Sequence, residues 1–135
     1  MTYMLDTNIC IFAIKQKPEN VIRNLLAHDT DELCISSITY AELMHGVEKS
    51  QLVEKNRLAM MMFLSPFTVL EFDSKAAEEY GRIRTRLERR GTPIGTMDNL
   101  IAGHAMSQGL TVVTNNTREY ARIDGLQVED WTRMK

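Results

Sequence analysis

The stretch YMLDTNICIFAI, residues 3–14, contains a change of pattern that decides the fold class. Residues 3–5 form a short apolar run that stops at Asp6. The side chains of residues 6–8 (Asp-Thr-Asn) are types that cap the N-terminus of a helix. Residues 9–14 then continue as an apolar, helix-like stretch. We therefore expect a buried strand that leads directly into a helix.

The same alternation of short apolar runs and amphipathic stretches continues along the chain. Further strands are predicted at residues 33–35, 67–72, 110–113 and 128–131. Further helices are predicted at residues 18–28, 51–64, 74–90 and 96–107, together with one that carries Glu42 and is capped by Ser37 or Thr39. Strands that alternate with helices of this length indicate an α/β fold with a parallel sheet of four to five strands.

Composition limits the class of protein. A chain of 135 residues, 44% of them hydrophobic, fits one compact domain over residues 1–135. The formal net charge of −2 does not favour nucleic-acid binding by the molecule as a whole, so any such contact requires a local basic patch. Cys10 and Cys34 lie in apolar runs and are predicted to be buried thiols. There is no secretory signal and no run of about 18 apolar residues, so we expect a cytoplasmic protein without membrane contact.

Polar side chains concentrate where the predicted strands end. Asp6 follows the first strand, Ser36 and Ser37 follow the second, and residues 114–116 (Thr-Asn-Asn) follow the fourth. In open parallel sheets, ligands bind outside the carboxyl ends of the strands, where the strand order reverses. We therefore expect a functional site at this edge of the sheet.

Four acidic residues are candidates for chemistry at that edge: Asp6, Glu42, Asp98 and Glu119. Each alone has an ordinary explanation as a helix cap, a paired or solvated helix residue, a first-turn acid or a surface residue. Together, carboxylates that converge would repel one another unless a cation neutralised them. Hard oxygen ligands suit Mg²⁺ or Mn²⁺. Because zinc-type clusters, a nucleophile elbow and a phosphate-binding loop are absent from the sequence, metal-assisted phosphodiester hydrolysis is the chemistry best supported.

Four blocks of sequence resemble the acidic blocks of PIN-domain ribonucleases. They are MLDTN (residues 4–8), ITYAELMHG (38–46), GTPIGTMDNLIAGHA (91–105) and VVTNNTREY (112–120). Their residues and spacing are similar to those of the VapC toxins of bacterial toxin–antitoxin operons. The resemblance extends over essentially the whole chain and implies a PIN-like α/β/α sandwich that binds a divalent metal through clustered acids.

The resemblance also implies roles for individual residues. Asp6, Glu42 and Asp98 correspond to the three core acids and would hold Mg²⁺ or Mn²⁺. The fourth block has Asn116 where the family often has aspartate, with Glu119 three residues further on. This departure leaves open whether Glu119 completes the catalytic set and whether one or two metal ions bind. The residues expected to orient the acids, or else simply to cap helices, are Thr7, Asn8, Ser37, Thr114 and Asn116.

The function implied by the resemblance is an endoribonuclease toxin of a type II toxin–antitoxin system. Its substrate would be RNA: members of this class cut tRNA, often in the anticodon stem-loop, while others cut ribosomal RNA, and we favour tRNA, with the anticodon stem-loop of initiator tRNA as one candidate. Hydrolysis would leave 5′-phosphate and 3′-hydroxyl ends and would stop translation and growth. The implied partners are a VapB-type antitoxin, operator DNA reached through that antitoxin, and a second copy of the chain. The apolar excess between Ile38 and Leu64 suggests that the homodimer forms through the helices there.

Residues 81–90 are the only dense basic run in the sequence. Arg86, Arg89 and Arg90 lie at helical spacing, so their side chains share one side of the predicted helix. Contact with RNA phosphates is one interpretation. A solvated helix face is an equally good one.

Three other classes of protein share parts of this pattern. A receiver domain needs a phospho-accepting aspartate and a lysine after later strands, but Asp73 is a poor acceptor and no lysine directly follows Val113. A phosphatase with an aspartyl nucleophile needs Asp-x-Asp after the first strand, where this chain has Asn8. The third is a PIN fold that has lost activity, against which the intact Asp6, Glu42 and Asp98 argue, or one that processes RNA without being a toxin.

Overall fold

The computed structural model describes residues 1–133, which form one parallel sheet covered by helices. The strands are β1 (Tyr3–Leu5), β2 (Leu33–Ser36), β3 (Thr68–Leu70), β4 (Thr111–Val113) and β5 (Val128–Glu129). The helices are α1 (Thr7–Lys15), α2 (Glu19–Leu26), α3 (Ser37–Glu48), α4 (Val53–Leu64), α5 (Ser74–Arg89), α6 (Thr96–Gln108) and α7 (Thr117–Tyr120). A 3₁₀ turn over Thr30–Glu32 precedes β2.

The strand order is β3-β2-β1-β4-β5, and every pair of neighbouring strands is parallel. The central strand β1 pairs with β2 on one side and with β4 on the other. The direction in which the chain adds strands therefore reverses between β1 and β4. A crevice forms at this position in doubly wound sheets. Asp6 directly follows β1, and Thr114 directly follows β4.

Successive side chains along each strand point to opposite faces of the sheet, and this alternation divides the core into two layers. Leu5 and Val113 face one layer, while Met4 and Val112 face the other. The first layer contains buried residues of α1 to α4, and the second contains buried residues of α5 and α6. Because strands covered on both faces must be apolar throughout, the short runs of the sequence are continuous hydrophobic stretches. The predicted α/β/α sandwich is confirmed.

Helix ends follow ordinary capping chemistry, with one correction. Asp6 caps α1 through the Ile9 N–H, and Gly109 ends α6 in the left-handed conformation at φ 68°. The prediction that Ser37 or Thr39 caps α3 is wrong, because the hydroxyl of Ser36 accepts the Ile38 N–H at 3.0 Å. Ser36 retains extended backbone angles at the end of β2, as a capping residue must.

The strand predictions were too long by one residue for β4 and by more for β3 and β5, and one helix was missed. The sheet pairs only Thr68–Leu70 at the β3 edge and Val128–Glu129 at the β5 edge. Trp131 lies beyond β5, where it packs against Tyr3 and a histidine ring instead of extending the ladder. The segment after β4 that carries Glu119, expected to be a polar loop, forms the single-turn helix α7 over Thr117–Tyr120. One turn is too short for hydrophobic periodicity to reveal.

Helices α5 and α6 pack closely on the second face of the sheet. A Cβ on Gly103 of α6 would lie only 2.7 Å from the backbone nitrogen of Tyr80 on α5. Cys10 and Cys34 are buried free thiols, as predicted. Among residues 1–133, no helix is long and apolar enough to cross a membrane.

Candidate active site

Asp6 lies at the centre of the site, at the reversal of strand order. Its side chain is only 3% exposed. Its Oδ1 accepts the Ile9 N–H at 3.0 Å, and the Thr114 side chain forms a further hydrogen bond with the carboxyl group. The pKa of Asp6 is raised from 3.8 to about 6, mainly by burial and to a smaller extent by the nearby charges of Asp98 and Glu42, while these two hydrogen bonds oppose the rise.

Glu42 enters the site from α3, six residues after the capping serine. The Thr7 hydroxyl donates a hydrogen bond to Glu42 Oε1, and it also lies 3.3 Å from the hydroxyl of Thr39. Thr7 begins α1, so this contact joins the first turn of α1 to the middle of α3. The half-buried carboxylate of Glu42 is thus oriented by a neutral donor.

Asp98 belongs to the first turn of α6 and is linked to the segment after β4. The Asn116 amide donates to Asp98 Oδ2 at 3.0 Å and also to Glu119. The Tyr120 hydroxyl donates to Asp98 Oδ1 at 3.2 Å. Burial raises the pKa of Asp98, and the adjacent Glu119 raises it further. Asn116 therefore bridges two carboxylates that would otherwise repel.

The four acids are close enough for their charges to interact: those of Asp98 and Glu42 act on Asp6, and that of Glu119 acts on Asp98. Within residues 1–133, no lysine or arginine forms an ion pair with Asp6, Glu42, Asp98 or Glu119. The same part of the chain also contains no group of three acidic, histidine or cysteine side chains arranged to hold a metal ion. Mg²⁺ commonly retains several waters and uses only one or two carboxylates. The uncompensated oxygen donors therefore fit a hydrated hard cation in chemical type.

The structure brings most of the predicted orienting residues to the acids. Thr7, Thr114 and Asn116 each contact an acidic side chain. Asn8 is exposed and lines a groove beside Glu42. Ser37 serves a different purpose, because its hydroxyl accepts the Phe72 N–H at 3.0 Å and attaches the chain after β3 to the start of α3.

Sequence reasoning missed two contacts of this site, that of Thr39 with Thr7 and that of Tyr120 with Asp98. Tyr120 is fully buried, and its hydroxyl reaches Asp98 across 22 residues of chain. Burial raises the pKa of this phenol, so it remains a donor. The only available signal was its place in the block VVTNNTREY. A tyrosine after a polar segment is otherwise indistinguishable from ordinary core.

The basic run lies on α5, and several of its arginines are already paired. Arg82 pairs with Glu78 and Glu79, and Arg84 pairs with Glu88. Of the predicted RNA-binding candidates, Arg90 bonds Asp124 and the Arg122 carbonyl. The other two candidates, Arg86 and Arg89, are exposed and form no ion pair in the part of the chain that the structure describes.

The profile of the PIN domain matches residues 3–126, which include every strand but β5 and all four acids. The chain belongs to the PIN-domain family. The α/β architecture and the family are thus confirmed together.

Several members of the PIN-domain family are similar to this chain over its whole length. It is 50% identical over 132 residues to the tRNA(fMet)-specific endonuclease VapC of Shigella flexneri, which covers 98% of this chain and 99% of the relative. It is 52% identical over 131 residues to the tRNA(fMet)-specific endonuclease VapC of Salmonella typhimurium, covering 97% and 98%. A crystal structure of DNA-bound VapBC from Salmonella typhimurium superposes with a TM-score of 0.91, covering 97% of this chain and 98% of that chain.

Proposed function

We propose that this PIN domain is a metal-dependent endoribonuclease that hydrolyses tRNA as the toxin of a VapBC-type pair. The observation that carries the proposal is the buried Asp6 with Asp98 and Glu42 beside it, none of which forms an ion pair with a lysine or arginine of residues 1–133. Such a set is costly to fold unless it serves a cation. Two relatives of at least 50% identity are named for cleavage of tRNA(fMet), so initiator tRNA is the proposed substrate.

In the proposed mechanism, Asp6, Glu42 and Asp98 would hold Mg²⁺ or Mn²⁺. When bound, such a cation polarises the phosphate and makes water more acidic. A water oxygen attacks phosphorus in line, the P–O bond to the 3′ oxygen breaks, and that oxygen takes a proton. The products are a 5′-phosphate and a 3′-hydroxyl, as the family resemblance implies.

The neutral side chains of the site keep the acids in position during this reaction. The Thr7 hydroxyl holds Glu42, while Asn116 and Tyr120 hold the two oxygens of Asp98. Glu119, fixed by the same amide of Asn116, is the carboxylate available to accept a proton from water. Because these contacts exist before substrate arrives, little reorganisation is needed at the moment of reaction.

The first test is cleavage of initiator tRNA by the purified protein. We expect cleavage with Mg²⁺ or Mn²⁺, none with a chelator, and a loss of at least about 10²-fold in turnover for Asp98→Asn with near-normal RNA binding. Asp31→Asn removes an exposed acid on the 3₁₀ turn before β2 and should leave cleavage unchanged. Sequencing the RNA ends identifies the cleavage site. Cleavage by Asp98→Asn at the native rate would exclude this role for the acid.

The toxin role has its own test. Expression of the chain alone should arrest growth, and co-expression of a small protein encoded beside it should restore growth. We expect that protein to cover the acidic crevice and to present an Arg or Lys there, because a cationic side chain can replace the charge of the metal. An active nuclease that is harmless at full expression would contradict the toxin role while leaving the nuclease proposal intact.

A further inference from the structure

His104 is a buried titratable residue that the proposed mechanism does not use. It lies in the second half of α6, and its side chain is fully buried. Its Nδ1 lies 2.8 Å from the hydroxyl oxygen of Ser36, the last residue of β2. Its other ring nitrogen, Nε2, is buried without a hydrogen-bond partner among residues 1–133. Because a buried polar atom without a partner costs stability, packing alone would favour an apolar residue at this position.

The Ser36 hydroxyl joins the end of β2 to two helices. It caps α3 by accepting the Ile38 N–H at 3.0 Å, and it contacts His104 of α6. We call the second interaction the Ser36–His104 contact. Ser36 is fully buried, so its hydroxyl hydrogen needs an acceptor. In the described part of the chain, that acceptor is Nδ1, so the hydroxyl donates to Nδ1 and the ring carries its proton on Nε2.

The surroundings of His104 keep its ring neutral. Burial lowers the pKa of the imidazole, and the charges of Asp73 and Glu71 only partly oppose this effect. The ring of Phe72 packs at a steep angle to the imidazole, with the two centroids 5.5 Å apart. A neutral ring is what the Ser36–His104 contact requires, because only the neutral imidazole has an acceptor nitrogen.

Two of the acids proposed to hold the metal lie at equal distances along the chain from this contact. Glu42 is six residues after Ser36, and Asp98 is six residues before His104. Each acid is therefore about 9 Å from the contact along its helix axis. A tilt of about 10° of either helix at the contact would move its acid by roughly 1.5 Å. Functional sites require positions held to about 0.5 Å, so this contact has leverage on both acids.

The Ser36–His104 contact is also the link between the two helices. The side chains that orient Glu42 and Asp98 individually come from different places, α1 and the segment around α7. Among the side-chain hydrogen bonds of residues 1–133, only the Ser36–His104 contact joins the start of α3 to α6. The neighbouring Gly103 packs against α5, so the same turn of α6 is fixed on both helices and on the sheet.

We propose that His104 is a positioning residue for the metal site, whose bond to Ser36 sets the arrangement of α3 and α6 and thereby the separation of the Glu42 and Asp98 carboxylates. This role rests on the proposed function, because the separation of the acids matters through the cation that they hold. His104 forms no hydrogen bond with either acid among the described residues. Its effect therefore falls on the affinity for metal and not on the affinity for RNA.

The experiment measures metal binding and cleavage separately on the full chain. Mg²⁺ affinity is measured by titration calorimetry without RNA, and kcat and KM for initiator tRNA are measured at low and at saturating Mg²⁺. His104→Leu removes the acceptor and keeps an apolar group in its place. We expect it to weaken Mg²⁺ binding about tenfold, the lower end of the usual cost of losing an orienting partner. Turnover should fall at low Mg²⁺ and recover towards the native value at saturation, with the KM for tRNA unchanged.

Three further variants separate the hydrogen bond from the packing of the ring. His104→Asn places an amide oxygen close to the position of Nδ1, so it should restore most of the Mg²⁺ affinity. Ser36→Ala should weaken Mg²⁺ binding less in the His104→Leu background than in the native chain, because both residues act through one bond. Leu87→Ala is the control for lost stability, since it opens a cavity in the same core layer on α5. It should unfold at a lower temperature and bind Mg²⁺ as the native chain does.

A measurement on the native chain does not depend on the folding of any variant. Nitrogen-15 NMR of the imidazole near neutral pH should show a proton on Nε2 and an unprotonated, hydrogen-bonded Nδ1. A ring protonated on Nδ1 would overturn the proposal, because that nitrogen would not be the acceptor for Ser36.

The remaining outcomes distinguish this proposal from the proposed function. If the native chain binds Mg²⁺ and cleaves tRNA and His104→Leu does both equally well, His104 only fills the core and the positioning role is overturned, while the nuclease stands. If His104→Asn is as defective as His104→Leu, the acceptor is not what matters and the positioning role is again overturned alone. If the native chain neither binds Mg²⁺ nor cleaves RNA, the proposed function fails, and the positioning role fails with it.

Discussion

At the residue scale, Asp6 combines two roles with opposite energetic consequences. Its carboxylate caps α1 and bonds Thr114, both of which stabilise the charged form. Its burial and the adjacent Asp98 and Glu42 destabilise that form more, which raises its pKa to about 6. A helix cap needs only an oxygen acceptor, so the charge on this residue is available for a cation.

The prediction for Asp6 concerns stability without divalent metal. The pKa is about 6 in the folded chain and about 3.9 in an unfolded one. The folded state therefore holds the extra proton between these values. This proton on Asp6 stabilises the folded state fully below about pH 3.9, and its contribution to the free energy of unfolding is lost as pH rises through about 6. The loss is roughly 2 to 3 kcal/mol at most.

Asp6→Asn keeps the cap and removes the charge. We therefore expect the variant to be more stable than the native chain near about pH 8 and to show little difference near about pH 4, by urea unfolding with a chelator present. Mg²⁺ should stabilise the native chain more than the variant. Asp31→Asn should behave as the native chain does. A variant that is less stable than the native chain near about pH 8 would show that the charged carboxylate is not the cost we infer.

At the element scale, the contact between α5 and α6 holds α6 in place and with it Asp98. Gly103 permits that contact, because its missing side chain leaves room for the backbone of Tyr80. The Gly81 position, on α5, has no atom within 4 Å of a Cβ placed there. The two glycines thus lie in the same helix pair but in opposite environments.

Replacing each glycine by alanine should change stability in opposite directions. Gly103→Ala should destabilise by about 1 to 3 kcal/mol, because a backbone atom must move to accommodate the methyl group. Gly81→Ala should stabilise by about 0.5 to 1 kcal/mol, because alanine loses less conformational freedom in a helix interior. Urea unfolding of both variants tests the pair. Equal effects of the same sign would mean that α5 and α6 are not packed as closely as described.

At the scale of the whole molecule, α4 presents an apolar face. Leu58 is 62% exposed, Met62 is 67% exposed and Met61 lies between them on the same side of the helix. Exposed apolar clusters of this kind mark protein interfaces. They lie within Ile38 to Leu64, the segment from which the sequence suggested a homodimer.

We expect light scattering to give the mass of two chains for the native protein. Leu58→Glu combined with Met62→Glu should give one chain, because buried unpaired charges oppose association. Leu26→Glu, at an exposed apolar position on α2, should leave the dimer unchanged. A native protein that remains a monomer at high concentration would contradict the dimer, and the apolar face of α4 would then be assigned to the antitoxin.

Local sequence was sufficient for the existence of the strands and the long helices and for the place of Asp6 at the end of β1. Hydrophobic periodicity and capping residues act over a few positions, so Asp6 at the end of β1 and Gly109 at the end of α6 could be predicted. The resemblance of four blocks added the family. The length over which an edge strand pairs depends on its neighbour in the sheet and not on local sequence, which is why β3 and β5 were predicted too long.

Only the tertiary structure decided which side chains meet the acids. Tyr120 reaches Asp98 from 22 positions away, and Thr7 reaches Glu42 from 35 positions away. These contacts depend on the order β3-β2-β1-β4-β5, which brings the ends of β1, β2 and β4 together. Strand order arises from burial summed over the whole sheet, and no window of sequence contains that sum. The positions of the acids thus follow from local sequence, while the raised pKa of Asp6 and Asp98 and the hydrogen-bond partners of the acids depend on the folded molecule.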